Sequence, residues 1–494
     1  MSDAEKIKEL SKELKAKEAE IKNLNQQLNC MKKMLFGQKS EKTSVIIENP
    51  EQLSFFDEAE NHGDRNATVE ESEVISSYKR KRKRTRDELL KDLPVEEVVH
   101  EVEDKICEKC GAEMKRVGKE FVRDELIFIP AKLFVRKHYA EVVKCTNCGQ
   151  DESNDTKQNE IEKCTFRKAE ISKPLMPHSF CSAELLSHIL NEKYCKAVPL
   201  YRLEKDFETM GFRISRTTMS NWIISAAERY FKPVYDMMKK ELLKENIIHA
   251  DETVVQVLKE PGRKAKTQSR MWVYCSSKSS GKSNILFEYQ PTRSGDHAKT
   301  FLGSYSGYLI CDGYDGYNKL TDVTRCGCWA HARRKFADAI PTEVKGSMAE
   351  EGFLRINKLY DVEKEISEFP IEERQKQRLE RSKPILDAFY AWAETLNPSS
   401  GTGLSKAINY AINEKKYLYR FLENPNLPID NNRAENAIRP FTIGRKNWLF
   451  CDSVKGAKAS AMIYSLASTA NANGLKPEEY FANLLSSTEP IMPW

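Results

Sequence analysis

The chain lacks the features of membrane-bound, secreted or strongly basic proteins. No apolar run reaches the roughly 18 residues that a membrane-spanning helix requires, and the N-terminus, MSDAEKIKEL, does not follow a basic stretch with an apolar one. The 79 lysines and arginines exceed the 74 aspartates and glutamates by only five, so the total charge identifies no nucleic-acid partner. We therefore expect a cytoplasmic protein without a membrane partner, and 494 residues predict three or four modules.

The chain also lacks the even cysteine count of a disulfide framework, because it holds 13 cysteines. Four of them form two CxxC pairs of the kind that bind metal: Cys107, Cys110, Cys145 and Cys148. Zinc takes four such thiolates in a tetrahedron. The interval between the pairs is longer than in a typical zinc ribbon, so a redox pair or unrelated buried cysteines stay open as alternatives. We expect residues 99–165 to form a module with structural Zn²⁺ in a reducing compartment.

Residues 1–37 carry the pattern of a coiled coil. Apolar residues recur at intervals of three, four or seven from Ile7 to Leu35, with Lys and Glu between them. The alternative is one amphipathic helix that packs on its own domain. We expect self-association through this segment, as a homodimer or a higher oligomer.

Residues 38–98 form an expected linker with a basic arm. Residues 38–76 are polar and acidic, and KRKRKRTR follows from Lys79. Such a run displaces counterions from DNA phosphates without reading sequence, although charge runs are often only solvated linker. The candidate DNA contacts in the arm are Lys79, Arg80, Lys81, Arg82, Lys83 and Arg84.

Three helical stretches between positions 182 and 230 predict a helix-turn-helix region at 170–240. Gly211 separates the second stretch from the third, and Ser215 is the expected N-cap of the third. Helical spacing turns one face of this third helix to the core: Met219, Trp222, Ile223 and Ala226. The residues left outward are candidates for contacts with DNA: Arg216, Thr217, Ser220 and Asn221. Any packed three-helix unit shows a similar pattern, so DNA contact is a hypothesis.

A strand pattern begins at Ile247 with IIHADETVVQVL and continues with MWVYCSSK, NILFEYQ and GYLICDGYDGY. In the first strand, alternation places Asp251 on one face and Glu252 on the other, so Asp251 is the preferred first carboxylate. Asp312 directly ends a strand, where α/β sheets commonly place ligands, whereas Asp315 lies further into a Gly-rich turn. Asp312 is therefore the preferred second carboxylate.

The third carboxylate comes from the segment PIDNNRAENAIRPF. Asp430 or Asn431 can cap a short helix that Pro440 ends, and Glu435 shares a helical face with Arg439. We expect an α/β domain at 245–450 that contains all three carboxylates. A charged helical interval predicts an insertion within this domain at about 332–423, and residues 451–494 form an expected C-terminal helical region.

The segment RCGCWAHARRKF allows two interpretations. Cys326, Cys328 and His331 can form a second metal site, but a core-facing Trp329 with His331 beside it is equally consistent with the pattern. The arginines that follow, Arg333 and Arg334, are candidates for DNA backbone contacts or for pairing with acids of the inserted helices.

Several motifs together resemble the insertion sequence 66 family of bacterial transposases. They are LFGQKSEK from Leu35, the double CxxC module, HADET from His249, CDGYDGY from Cys311, GCWAHARRKF from Gly327, NNRAENAIRPFTIGRKNWLF from Asn431 and TANANGL from Thr469. These stretches sample nearly the whole chain. The resemblance implies a bacterial, nucleoid-associated DNA transposase, which is a polynucleotidyl transferase with nuclease chemistry.

The resemblance also implies a ribonuclease-H-like α/β catalytic domain with an Asp-Asp-Glu triad, here Asp251, Asp312 and Glu435. Such a triad holds two Mg²⁺, or Mn²⁺ in their place. The implied partners are double-stranded DNA, as terminal inverted repeats and target DNA, and small accessory proteins of the same element. The residue seven positions after Glu435 is Thr442, which departs from many enzymes of this type. Candidate phosphate contacts around it are Arg439, Arg445 and Lys446.

Two other functions share parts of this pattern. A zinc-containing helix-turn-helix regulator would bind DNA without cutting it, but it leaves the three carboxylates unexplained. A metal-dependent nuclease without strand transfer would use the same triad.

Overall fold

The structure, a computed structural model, describes Lys17 and residues 133–144, 166–168, 174–341 and 346–494. The two CxxC pairs, the basic arm and all of the expected coiled coil except Lys17 lie outside these residues. Strands β1 (Val142–Lys144) and β2 (Phe166–Lys168) form an antiparallel pair. Among the described residues, no helix is long and apolar enough to cross a membrane.

A helical region follows the first two strands. Its helices are α1 (Ala183–Leu190), α2 (Leu200–Thr209), α3 (Arg216–Ala226) and α4 (Lys232–Leu242). One π-helical turn, Asn191–Cys195, extends α1, and a second, Ala227–Phe231, joins α3 directly to α4.

The turn between α2 and α3 forms as the sequence predicts. Gly211 adopts a φ of +82°, which is a conformation that favours glycine, and the Ser215 hydroxyl accepts a hydrogen bond from the Thr218 N–H. The predicted core face of α3 is buried: Met219, Trp222, Ile223 and Ala226. Because α3 runs on into α4, the third helical stretch is longer than the sequence indicated.

Four strands that the sequence predicts from Ile247 onward and two short strands that it does not predict, the last two in chain order, form one mixed sheet. They are β3 (Ile247–Lys259), β4 (Gln268–Ser276), β5 (Ile285–Gln290), β6 (Tyr308–Ile310), β7 (Thr324–Cys326) and β8 (Cys451–Ser453). The spatial order is β5-β4-β3-β6-β7, in which β5, β4 and β3 are antiparallel while β3, β6 and β7 are parallel. β8 pairs with the far end of β3. Helix α5 (Gly295–Leu302) connects β5 to β6.

A helical insertion separates β7 from the last part of the domain. It contains α6 (Trp329–Asp338), α7 (Met348–Glu365), α8 (Ile371–Gln377), α9 (Lys383–Glu394), α10 (Gly403–Asn413) and α11 (Lys415–Leu418). These helices have their own hydrophobic core, which extends from Cys326 to Ile429 and includes Ile247 and Ile310 of the sheet. The helical segment therefore begins a few residues before the expected start at 332.

The prediction that Pro440 ends a short helix is wrong, because helix α12 spans Asn432–Trp448. The helix continues through Pro440, which is exposed. A proline removes one helical N–H donor, but on an exposed face water can satisfy the carbonyl that loses its partner. The buried neighbours Ile438 and Phe441 keep the chain helical through their packing.

Helices α13 (Val454–Ala472) and α14 (Pro477–Ser486) complete the fold. Glu478 of α14 contacts α1, with Oε1 3.1 Å from His188 Nδ1 and Oε2 accepting a hydrogen bond of 2.8 Å from Asn191. One hydrophobic core includes α1 to α4, the sheet, α12, α13 and α14. The expected boundaries at 240 and 451 therefore do not coincide with breaks in this core.

Helix α13 covers the outer edge of β5 with hydroxyl groups. Thr469 Oγ1 accepts a hydrogen bond from the Ile285 N–H and donates one to the Ile285 carbonyl, each 3.0 Å long, and Ser465 Oγ accepts one of 2.7 Å from the Phe287 N–H. An uncovered edge strand presents such groups to other chains, so these contacts protect the β5 edge of the sheet.

We predict that Thr469→Val destabilises the protein, because it leaves the buried N–H and carbonyl of Ile285 without partners. The expected loss in the free energy of unfolding is roughly 2–4 kcal/mol, measured by chemical denaturation. Thr469→Ser keeps the hydroxyl and should lose much less. A larger loss in Thr469→Ser than in Thr469→Val would show that the methyl group, and not the hydrogen bonds, provides the stability.

Candidate active site

The sheet register brings Asp251 and Asp312 to the same edge of the sheet. β3 and β6 are parallel, and their last paired residues are His249 and Ile310. Asp251 and Asp312 each lie two residues beyond that pair, at the carboxyl end of the parallel pairing. Side chains alternate between the two faces of a strand, and Asp251 and Asp312 are equally far from the pair His249–Ile310. The two aspartates therefore occupy equivalent positions on neighbouring strands.

Asp251 and Glu252 have different surroundings, as alternation predicts. Thr253, which shares a face with Asp251, accepts a hydrogen bond of 3.0 Å from Arg445 Nη1 of α12. Glu252 instead accepts hydrogen bonds from Arg293 Nε at 2.6 Å and from the Tyr317 hydroxyl at 3.0 Å, and its side chain is 2% exposed. The partners of Glu252 are distant in sequence, so its buried ion pair was not apparent from the sequence.

Asp312 is held by the loop that follows it. Its Oδ1 accepts a hydrogen bond of 3.1 Å from the Tyr314 N–H, and its main-chain carbonyl accepts one of 2.9 Å from Arg325. Arg293 Nη2 lies 3.9 Å from Asp312 Oδ2, so this guanidinium stands between Asp312 and Glu252. Arg293 had no distinguishing pattern in the sequence, because its acidic partners come from other segments of the chain.

A buried asparagine attaches the helix that carries Glu435 to the strand that carries Asp251. Asn431 is fully buried and directly precedes α12. Its side-chain amide donates a hydrogen bond of 2.8 Å to the Ala250 carbonyl and accepts one of 2.9 Å from His249 Nδ1. Burial lowers the pKa of His249 to about 4, so the ring is neutral near pH 7 and its Nδ1–H donates. The Asn431 carbonyl in turn accepts from the Glu435 N–H at 3.2 Å.

Glu435 lies in the first turn of α12 with a side chain that is only 6% exposed. Its Oε2 accepts a hydrogen bond of 3.0 Å from Arg334 Nη2 of α6, and its Oε1 lies 3.5 Å from His331 Nδ1. Arg334 was a candidate for DNA contacts or for pairing with an acid of the inserted helices, and the acid that it contacts belongs to α12. Its neighbour Arg333 lies over the Tyr360 ring, 4.4 Å from the centroid.

Negative charge dominates the site. Burial raises the pKa of the Asp251 carboxyl well above its ordinary value, and the charges of Glu252, Asp312 and Glu435 raise it further. Burial also raises the pKa of Glu252, an effect that Asp312 reinforces and Arg293 opposes. Like charges collected in a partly buried place are costly unless a cation joins them. The arrangement therefore fits a hard divalent cation with oxygen ligands.

The other candidate residues lie at several places on the surface. Arg216, Thr217 and Asn221 of α3 are exposed and Ser220 is half-buried, in agreement with the predicted outward face. In α12, Lys446 is exposed and Arg439 is half-buried. Arg445 donates hydrogen bonds to Thr253 and to the Val254 carbonyl, so it connects the end of α12 to β3.

The cysteine and histidine of GCWAH lie beside Glu435. Ligand atoms of Cys328, His331 and Glu435 are within 4.8 Å of one another, whereas Cys326 is not in this group. The Cys326 thiol contacts the Thr324 carbonyl. The sequence left open a metal site formed by Cys326, Cys328 and His331. In the structure Glu435, and not Cys326, lies with Cys328 and His331.

Family models match most of the chain. A model described as "Transposase IS66 family" matches residues 178–459, which is more than half of the chain. One described as "Transposase C of IS166 homeodomain" matches residues 23–98, and one described as "zinc-finger binding domain of transposase IS66" matches residues 104–149. The last range includes all four cysteines of the two CxxC pairs.

Similar proteins occur in Sinorhizobium fredii (strain NBRC 101917 / NGR234). The chain is 27% identical to the uncharacterized protein y4jD over 432 residues, which cover 82% of this chain and 81% of y4jD. It is 30% identical to the uncharacterized protein y4qI over 335 residues, which cover 63% and 62% of the two chains. It is 26% identical to the uncharacterized protein y4hP over 507 residues, which cover 95% and 88%.

We predict that Asn431→Ala lowers the free energy of unfolding by roughly 2–5 kcal/mol, because it leaves His249 Nδ1–H and the Ala250 carbonyl buried without a partner. Chemical denaturation measures this loss. Asn432→Ala is the matched control, since the Asn432 amide donates only to its neighbour Asp430, at 2.8 Å, and is half-buried. A loss as large in the control would contradict the role given to Asn431.

We predict that Asp251→Asn stabilises the protein at pH 8 when no divalent cation is added. The folded-state pKa of Asp251 lies above its unfolded value, so the folded state loses stability as the pH rises above the ordinary carboxyl pKa of about 4. The amide avoids this loss, so the variant should unfold at a higher temperature than the wild type at pH 8.

Thermal unfolding between pH 4 and 8 tests this expectation. The difference between variant and wild type should shrink towards pH 4, and added Mg²⁺ should stabilise the wild type more than the variant. Asp322→Asn changes an exposed acid and should have little effect at any pH. A variant that melts no higher than the wild type at pH 8 would rule the account out.

Proposed function

Because the chain belongs to the IS66 family of transposases, we propose that it is a DNA transposase whose catalytic residues are Asp251, Asp312 and Glu435. In this proposal the protein binds the ends of an insertion sequence, cleaves a strand there and joins it to target DNA. One observation carries the proposal: Asp251 and Asp312 leave the same end of the parallel pair β3–β6, and the contacts of Asn431 hold the start of the helix that carries Glu435 against β3.

The residues of this cluster fit the ions that the proposal requires. Mg²⁺, or Mn²⁺ in its place, takes carboxylate oxygens, and two bound ions supply Lewis-acid stabilisation to the attacking and leaving oxygens of a phosphodiester. Asp251, Asp312 and Glu435 would hold them. Among the described residues, Oε1 of Glu435 accepts no hydrogen bond although it is buried, so this oxygen is available as a ligand.

Each neighbour of the triad has a separate task. Arg334 donates a hydrogen bond to Oε2 of Glu435 and so limits the rotation of this carboxylate. Arg293 pairs with Glu252 and lies 3.9 Å from Asp312 Oδ2, so it offsets part of the negative charge of both acids. These contacts limit side-chain rotation, and positioning of this kind lowers the reorganisation that the reaction needs.

We propose a ribonuclease-H-like architecture for the catalytic domain. The mixed sheet supports it, with three antiparallel strands followed by a helix and two parallel strands, and so does a third carboxylate delivered by a helix after an insertion.

DNA binding would involve three parts of the chain outside the triad. The exposed face of α3, with Arg216, Thr217 and Asn221, offers hydrogen-bond donors and a charge at a helix start. Lys446 is exposed near the end of α12, on the element that carries Glu435. The basic arm at 79–84 would add contacts with phosphates that are independent of sequence.

We further propose that Cys107, Cys110, Cys145 and Cys148 bind one structural Zn²⁺. The zinc-finger family match over these cysteines supports this. Self-association through residues 1–37 would bring two element ends together, as strand transfer between ends and target requires.

We predict that Asp251→Asn, Asp312→Asn and Glu435→Gln each lower the rate of strand cleavage at least about 1000-fold, because metal ions contribute several kcal/mol to such reactions. The amide keeps the size of the carboxylate but removes the charge. The assay is Mg²⁺-dependent cleavage and joining of a labelled element end, with binding of the same DNA measured in parallel. Binding should change little.

Asp315→Asn and Asp322→Asn are the matched controls, because both acids are exposed and lie in the same part of the chain. Glu252→Gln is unsuitable as a control, since Glu252 is buried in an ion pair with Arg293. Full cleavage by any triad variant contradicts the assignment. Cleavage without joining by the wild type would instead identify a nuclease, and binding without cleavage a DNA-binding regulator.

A further inference from the structure

Cys328, His331 and Glu435 meet at the junction of α6 and α12. Cys328 is the residue before the first turn of α6, and His331 lies three positions later, so both side chains point to the same end of the helix. Glu435 reaches them from the first turn of α12. One ligand atom from each residue lies within 4.8 Å of the other two.

Two buried atoms of this group lack hydrogen bonds. Within the part of the chain that the structure describes, neither His331 Nδ1 nor Glu435 Oε1 has a hydrogen-bond partner, although the two atoms are 3.5 Å apart. Buried polar atoms without partners are costly and rare in folded proteins. The two atoms lie as far apart as neighbouring ligand atoms of a metal ion, which indicates that an ion can bind between them.

The third member already has the surroundings of a metal-bound sulfur. Cys328 is fully buried, and its Sγ accepts a hydrogen bond of 3.2 Å from the Asn431 N–H. Outer contacts of this kind orient ligands and compensate the charge of a thiolate. The partly exposed ring of His331 provides the side from which an ion can enter.

We propose that Cys328, His331 and Glu435 form a second metal site that takes a soft divalent cation such as Zn²⁺. Sulfur and imidazole nitrogen are ligands that zinc accepts and Mg²⁺ avoids. Zinc–ligand bonds of about 2.0–2.3 Å place neighbouring ligand atoms about 3.3–3.8 Å apart, so the group needs to close by only about 1 Å. Three protein ligands leave one position of a tetrahedron for water.

Glu435 belongs both to this site and to the proposed catalytic triad, so the effect of zinc on cleavage rests on the proposed function. Glu435 cannot serve the carboxylate triad fully while its Oε1 binds zinc. Zinc would therefore inhibit cleavage by competing with Mg²⁺ for one carboxylate.

The test counts zinc on the full-length protein. Wild type, Cys328→Ala and His331→Gln are dialysed against micromolar Zn²⁺, and bound zinc is measured by mass spectrometry of the metal. Each variant should hold one ion per chain fewer than the wild type, while zinc on the remaining cysteines is common to all and cancels in the difference. Cys326→Ala is the control, because this buried cysteine is two residues away but outside the group.

Two variants protect the test against a folding defect. Cys328 is fully buried and its replacement can disturb packing, whereas His331 is partly exposed, and circular dichroism checks both. Equal zinc in the wild type and in a folded His331→Gln overturns the proposal and leaves His331 as a side chain that only orients Glu435.

Cleavage assays test the consequence separately. Micromolar Zn²⁺ should inhibit the wild type and Cys326→Ala, and should inhibit Cys328→Ala at least about tenfold less, each relative to its own rate without zinc. If the wild type does not cleave DNA at all, the proposed function is wrong. The amount of zinc bound by the wild type and the variants still shows whether the second metal site exists. Equal inhibition of Cys328→Ala and wild type would contradict competition at Glu435.

Discussion

The contacts of Asn431 are the constraint on which the rest of the site depends. They connect the start of α12 to β3 across 182 positions of sequence, and they do so at the residue next to Asp251. Arg445 fastens the other end of α12 to the same strand. The helix is therefore held against β3 at both ends, and Glu435 has little freedom to move away from Asp251.

The same contacts explain how the domain accommodates a long insertion. The Asn431 N–H donates to Cys328 Sγ, and the Trp329 N–H donates to the Ile429 carbonyl at 3.1 Å. The two ends of the insertion are thus joined beside Glu435, so the inserted helices can form their own core without displacing this residue. This arrangement is electrostatically unfavourable without a bound cation, because Asp251 is buried near other negatively charged carboxylates, which raise its pKa.

Periodicity predicted those parts of the site that depend on local geometry. Strand alternation favoured Asp251 over Glu252, and the end of a buried strand favoured Asp312; both residues lie two positions beyond the last pair of β3 and β6. The partners of Arg334 and Glu252 were not predictable, since both pairs join residues from different elements and form only when the fold closes. The prediction that Pro440 ends a helix was wrong for a related reason. Whether a proline ends a helix depends on the helix face that it occupies, and the packing of Ile438 and Phe441 determines which face of α12 is exposed.

The account rests on the claim that one cluster of carboxylates binds the ions that act on DNA. Anomalous scattering from crystals of the full chain, grown with Mn²⁺ and a DNA end, locates those ions directly. The account predicts Mn²⁺ between the carboxylates of Asp251, Asp312 and Glu435. Manganese bound elsewhere, with Glu435 contacting only Arg334 and His331, would contradict it.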